Sequence, residues 1–240
     1  MSVSPVRPHI LCAHSLSVGG EDVALAVQRS RRARRLTLRV DQRSGELQLV
    51  LPQRVPLREG LDFAERKVDW IRDQLAALAP QRPFVDGAVV PYLGAPQIIR
   101  HVPGARRGVW REAGSIWVSG DGDYLPRRVT DFLKRAARDE ITARARAKAA
   151  TVERPFARVT LRDTRSRWGS CSASGELSFS WRLIMAPEAV LDYVVAHEVA
   201  HLVHMNHSRR FWTLVGRLTA EVDGPERWLR DEGNGLLRYG

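Results

Sequence analysis

His197-Glu-Val-Ala-His-Leu-Val-His-Met-Asn-His207 gathers four of the chain's seven histidines into eleven positions. Val190, Leu191, Val194, Val195, Val199 and Leu202 make the segment that enters this stretch apolar, so it reads as a buried helix. On a helix, positions 197 and 201 are about 400° and ~6 Å apart, and their rings converge on one point. Glu198 is displaced by ~100° and reaches beside that point rather than into it. Neutral imidazoles with an adjacent carboxylate are what a catalytic metal ion and the water it activates require. His204 lies on the same face but ~10 Å along the axis from His197, too far to share a tetrahedral ion. His207 can be the third ligand only if the helix ends near Met205 and the chain turns back. Asn206, a residue that tolerates left-handed backbone, favours an ending there. Glu221, twenty residues past His201, and Glu226 compete for the same role. The expected centre is one Zn2+ held by His197, His201 and His207, with Glu198 as the catalytic base.

The remainder of the chain sets bounds. Its 240 residues suffice for one large domain or two small ones, and 44% hydrophobic with 27% charged residues is a globular composition. No apolar run approaches a membrane span, and Met1 to Val18 lacks the continuous apolar core of a signal peptide. Two cysteines, Cys12 and Cys171, are too few for a disulfide framework. A cytoplasmic location is the expectation. Net charge is +11 and almost wholly arginine, since Lys occurs only at 67, 134 and 148. Such a balance suits anionic partners. The dense run Arg29 to Arg35 is a candidate nucleic-acid contact, or a solvated strand edge that resists aggregation. No internal repeat is visible.

Pattern along the chain predicts an α+β fold. Leu36, Leu38 and Val40, then Leu47, Leu49 and Leu51, alternate around Gly45 as a hairpin within β-structure spanning 21–51. A helix is expected over 57–78, ended by Pro80 and Pro83. Short strands follow over 84–119, with a hairpin pairing Val109-Trp110 and Ile116-Trp117. Gly120 to Asp123 reads as a linker. A helix from Pro126 to about Ala150 carries Val129, Leu133, Ala137 and Ile141 on one stripe. Strands are expected at 157–161 and 177–184. Pro187 suits the first position of the motif helix, about 187–205. Ser208 is a candidate cap for a helix over 209–222, stopped by Gly224-Pro225. The division this suggests is a mostly β region, 1–122, before a catalytic domain, 123–240.

Ser166-Arg-Trp-Gly-Ser-Cys171, Trp181-Arg-Leu-Ile-Met-Ala-Pro187, the His197–His201 motif, Met205-Asn-His-Ser208 and Phe211-Trp212 together resemble the YgjP-like metallopeptidase family, relatives of the SprT and WLM zinc proteases. The resemblance is dense over 160–215 and diffuse before it, where Arg34 to Val40 and Lys67 to Ile71 also fit. It implies a minimal zincin fold: a short sheet, an active-site helix and a following helix. It also implies zinc on His197, His201 and His207 with Glu198 catalytic. Ser180 departs from the family pattern, which often has Asn there.

Arg165, Arg167 and Trp168 are candidate substrate contacts beside the cleft. In the alternative, Trp168 packs in the core and the arginines lie at the surface. Cys171 is either a thiolate near the metal or a small buried residue. Ser170 and Tyr193 are possible hydrogen-bond donors to the reacting group. The leading expectation is a zinc-dependent metallopeptidase acting on peptide or protein. The arginines also suit a metal-dependent pyrophosphohydrolase of a UTP-type nucleotide, although such enzymes favour carboxylate-held Mg2+. A third expectation is a protease carried to nucleic acid by its basic N-terminal half. Oligomeric state has no signature in the sequence.

Overall fold

Period-two burial along the first strands sets their sheet: Leu25, Val27, Leu47, Leu49 and Leu51 all face one core. The computed structural model describes residues 10–164 and 167–240, with side chains 10–12 excepted. β1 (Ile10–Val18) and β2 (Glu21–Ser30) form an antiparallel hairpin, as do β3 (Thr37–Val40) and β4 (Leu47–Pro52). β2 runs parallel to β4, giving the order β1-β2-β4-β3. The expected turn lies between β3 and β4. There the Asp41 carboxylate accepts from the backbone N–H groups of Arg43 and Ser44, and Gly45 takes φ 79°. Arg29 donates to the carbonyls of Pro52, Gln53 and Val55, so this member of the basic run braces the exit of β4. Arg31, Arg32, Arg34 and Arg35 are exposed.

The helix expected over 57–78 is two: α1 (Leu57–Glu65) and α2 (Val68–Ala76). Lys67, at φ −107° and ψ 12°, breaks the helical geometry between them. α1 lies so close to β4 that a Cβ on Gly60 would fall 2.3 Å from Leu51 Cδ2.

The chain divides into two compact units after Ala79, and the boundary expected near 122 falls inside the second. The reason is a shared core. Val90, Ile99, Ile116 and Val118 come from β5 (Val89–Tyr92), β6 (Ala95–Val102) and β8 (Ser115–Ser119), and they bury in one cluster with the later helices. With β7 (Val109–Glu112) these strands form a sheet ordered β5-β6-β8-β7, in which β6 and β8 are parallel. Its topology repeats that of the first sheet. An Ala-Arg-Arg triplet precedes the third strand of each, at 33–35 and 105–107. Trp110 and Trp117 stack across the expected hairpin, with centroids 6.1 Å apart.

α3 (Leu125–Thr151) buries Leu125, Val129, Leu133, Ala137, Ile141, Ala145 and Ala149. An interval of four drifts ~40° per step around a helix of 3.6 residues per turn. Successive turns therefore meet different neighbours: the β7/β8 edge, the segment 181–185, and α4 (Glu188–Ala200). A third sheet, ordered β10-β11-β9, comprises β9 (Arg158–Arg162), β10 (Gly169–Cys171) and β11 (Glu176–Ser180). The strand expected to reach Ile184 stops at Ser180. Its hydroxyl accepts from the Arg182 N–H at 3.3 Å and starts a buried 3-10 turn, Trp181–Met185. α5 (Arg209–Leu218) ends before the expected 222. Gly224-Pro225 lies in the first turn of α6 (Asp223–Asp231), where proline's missing N–H has no helical partner to lose. The architecture is α+β with a β-rich first half, as expected.

Arg182 ties the second unit together. Its guanidinium donates to Asp163 at 2.8 Å and to the carbonyls of Leu236 and Tyr239 at 2.9 and 2.6 Å, while 1% exposed. Arg182→Met leaves both carbonyls without that donor. The expected loss is about 3 kcal/mol of unfolding free energy, read from urea denaturation; a change within experimental error would show that water replaces the guanidinium.

Candidate metal centre

α4 is apolar almost all round, so it is the central rod of its unit rather than a surface helix. Pro187 stands one position before it, at φ −50° and ψ 145°, not at its first residue. The helix also stops earlier than expected, at Ala200, with His201 as its C-cap. Residues 202–204 tighten around its end: Leu202 N–H donates to Val199 O, and Val203 and His204 N–H both donate to Ala200 O. No left-handed residue is used. Among the described non-glycine residues, positive φ occurs only at Leu93, Ala113 and Glu153, so Asn206 does not end the helix in the expected way.

The early stop has a chemical result. The His204 carbonyl, freed from helical bonding, lies 3.0 Å from His201 Nδ1. That bond puts the proton on Nδ1 and leaves Nε2 as a bare acceptor. His204 thus contributes its backbone, and its ring is turned elsewhere. The chain then returns His207 to the motif, with its Nε2 3.1 Å from His197 Nε2. One nitrogen from each of His197, His201 and His207 falls within 4.8 Å of the others, the one such group of potential ligands among the described residues. Glu221 and Glu226 are not part of it. The Glu221 carboxylate sits over Gly224, where a Cβ would be 2.0 Å from Oε1.

Phe211, fully buried at the start of α5, touches all three imidazoles, with centroid distances of 4.9, 4.5 and 4.8 Å to His197, His201 and His207. Trp212 stands 5.8 Å from His197 and from His207. In the metal-free chain, burial and then the neighbouring His201 and His207 push the His197 pKa down to about 4. Burial also lowers that of His201. Both rings are therefore neutral at pH 7, the form that binds metal.

Glu198 is buried beside this cluster. Burial pushes its pKa up to about 7, opposed by the charge of Arg167. The space for its carboxyl exists because residue 169 is glycine: a Cβ there would lie 2.5 Å from Glu198 Oε1. Neither that role of Gly169 nor the reach of Phe211 was drawn from the sequence, though a glycine inside a strand signals close approach. Burial and then Glu198 raise the Cys171 thiol to about 11, which keeps it protonated. Tyr193 presents its ring edge to His197 at 6.0 Å, and burial, Glu226 and Glu198 raise its phenol to about 12. Trp168 is half-buried against the main core, with Gly233 packed on its ring. Arg167 is exposed, and Arg165 lies outside the described residues.

Imidazoles from the end of α4 and from the returning chain, converging beside a buried carboxyl, form a group that could hold a metal ion. Residues 34–232 match the model of the YgjP-like family, described as a YgjP-like, metallopeptidase domain, and the chain belongs to that family. No curated protein and no solved structure matches the chain. The family implies a divalent metal and hydrolytic chemistry. Among the described residues no helix is long and apolar enough to cross a membrane.

The two shifted groups oppose each other in the metal-free protein. Glu198 holds its proton more tightly folded than unfolded between pH 4.5 and about 7, so its contribution to stability falls as pH rises. His197 is the reverse between about pH 4 and 6.5, so its contribution rises. Glu198→Gln removes the first effect. In chelator, the variant's stability relative to wild type should increase steadily from pH 4.5 to 7 in urea unfolding. A difference independent of pH would mean Glu198 titrates normally.

Proposed function

We propose that the protein is a zinc-dependent peptidase in which Glu198 is the general base. The carrying observation is the convergence of His197, His201 and His207 beside that buried carboxyl. The donor set suits zinc: three imidazoles, with one nitrogen of each within 4.8 Å of the others, would hold the ion and leave a position open. Zinc held there supplies Lewis-acid polarisation of a water molecule and of a substrate carbonyl. Glu198, with a pKa near 7, is suited both to take the water's proton and to return it to the leaving amine. Phe211 packs behind the imidazoles, and burial keeps His197 and His201 neutral. His201 is oriented by the His204 carbonyl, so its Nε2 is the binding atom. A groove of about 500 Å³ along the third sheet, lined by Arg167, Ser170 and Ser178, adjoins Gly169 and is the proposed seat of the peptide.

Metal analysis with activity on peptide and nucleotide panels tests this. Wild type should carry one zinc and cleave peptides, and His207→Ala should lose the metal. Glu198→Gln should keep zinc but lose turnover by about 10²–10⁴-fold. Equal zinc in His207→Ala would reject that ligand, and release of pyrophosphate from nucleotides without peptide cleavage would reject the substrate class. Gly169→Ala should also keep zinc while turnover falls, because its methyl group occupies the space of the Glu198 carboxyl; full activity would show that Glu198 works from another position.

A further inference from the structure

A large cavity of the second unit lies on the other side of α5 from the metal centre. It measures about 720 Å³ and opens between the end of α3, the turn at Val203-His204 and the outer face of α5. Its lining has two parts. Val152, Val203, Leu214 and Leu218 supply aliphatic surface, and Val203 stands 37% exposed at the rim. Arg209, Arg210 and Arg217 supply guanidinium groups, and none of the three has an ion-pair partner among the described residues. Glu153 is the single carboxylate in the lining, so the cavity carries excess positive charge.

The cavity and the metal centre share walls. Arg210 and Phe211 are adjacent in sequence and ~100° apart around α5. The helix turns Phe211 to the imidazoles and Arg210 to the cavity. The turn at 203–204, which lines the cavity, also holds His201 through the His204 carbonyl. An occupant here is therefore held next to the reacting centre without entering it.

The chemistry of the lining selects among occupants. Arginine forks match carboxylates and phosphates alike. A nucleic acid bound through its bases needs aromatic platforms, and the lining contains no Phe, Tyr or Trp. Branched aliphatic surface framed by unpaired guanidiniums fits aliphatic side chains flanked by carboxylates. We propose that this cavity is an exosite for an acidic, aliphatic segment of a polypeptide substrate, an assignment that rests on the peptidase reading above. It narrows the substrate class from peptides in general to proteins that present Asp or Glu beside Leu, Ile or Val, at a point apart from the bond cleaved.

The test uses full-length zinc-loaded protein carrying Glu198→Gln, so that probes survive, and fluorescein-labelled peptides of three compositions. The acidic-aliphatic peptide (alternating Glu and Leu) should bind, and binding should weaken with salt. Peptides alternating Lys and Leu, or Glu and Ser, should bind about tenfold or more weakly. Adding Arg210→Glu and Arg217→Glu should weaken the acidic-aliphatic peptide by a similar factor, with zinc content retained as the check of folding. Equal binding of the three peptides, or no effect of the two substitutions, overturns the proposal. So does tighter capture of a single-stranded oligonucleotide than of the acidic peptide. Hydrolysis of a short neutral peptide by the wild type reports the catalytic centre separately. If none is cleaved while the binding pattern holds, the peptidase reading fails and the cavity's preference stands.

Discussion

Helix α4 ends on His201, one of the three imidazoles of the candidate metal cluster. A C-cap is where backbone carbonyls run out of helical partners, and just beyond it the carbonyl of His204 accepts a hydrogen bond from His201 Nδ1–H. Helix termination and imidazole orientation are one event. Had the helix run on through Ser208, the His204 carbonyl would have been drawn into helical bonding, and His207 would have been carried off the face shared by His197 and His201. The return of His207 to the other two imidazoles depends on a stop five residues earlier than the sequence pattern suggests.

Around that stop, burial does the electrostatic work. Phe211 packs against all three rings, and burial disfavours charge on His197 and His201. The same dryness raises Glu198 to the middle of the physiological range. A carboxyl with an ordinary pKa would be a weak base toward water; one near 7 is both a better acceptor and a usable donor. Arg167, at the surface, pulls in the opposite direction. The balance thus rests on one exposed guanidinium and on the absence of a side chain at residue 169.

Much of this was legible in the sequence wherever one physical rule decided the outcome. Alternation at Leu36 to Leu51 located the β3/β4 hairpin, and the stripe from Val129 to Ile141 located α3. Helix geometry separated His204 from the other three histidines. What escaped carried no residue type or period that marks it. The split of 57–78 into two helices follows from local backbone geometry at Lys67, where neither proline nor glycine marks the break. The placement of β5–β8 with the second unit follows from a core shared with α3, which no composition shift announces. Asn206 was credited with a conformation that consecutive short-range bonds made unnecessary. Ser180, the departure from the family pattern, supplies a hydroxyl that starts the buried turn before α4.

The same four-strand arrangement appears twice, each time as two antiparallel hairpins joined along a parallel seam. Hairpins close through local contacts, whereas the seam needs its second and fourth strands to meet across an intervening strand. In each sheet, then, the outer pairings are the cheap early steps of folding and the central one is the slow, committing step. For β6 and β8 that step also buries Ile99 and Ile116 into the core that surrounds α4. Assembly of the surroundings of α4 is thereby coupled to zipping of a seam whose strands contribute no residue to the histidine cluster.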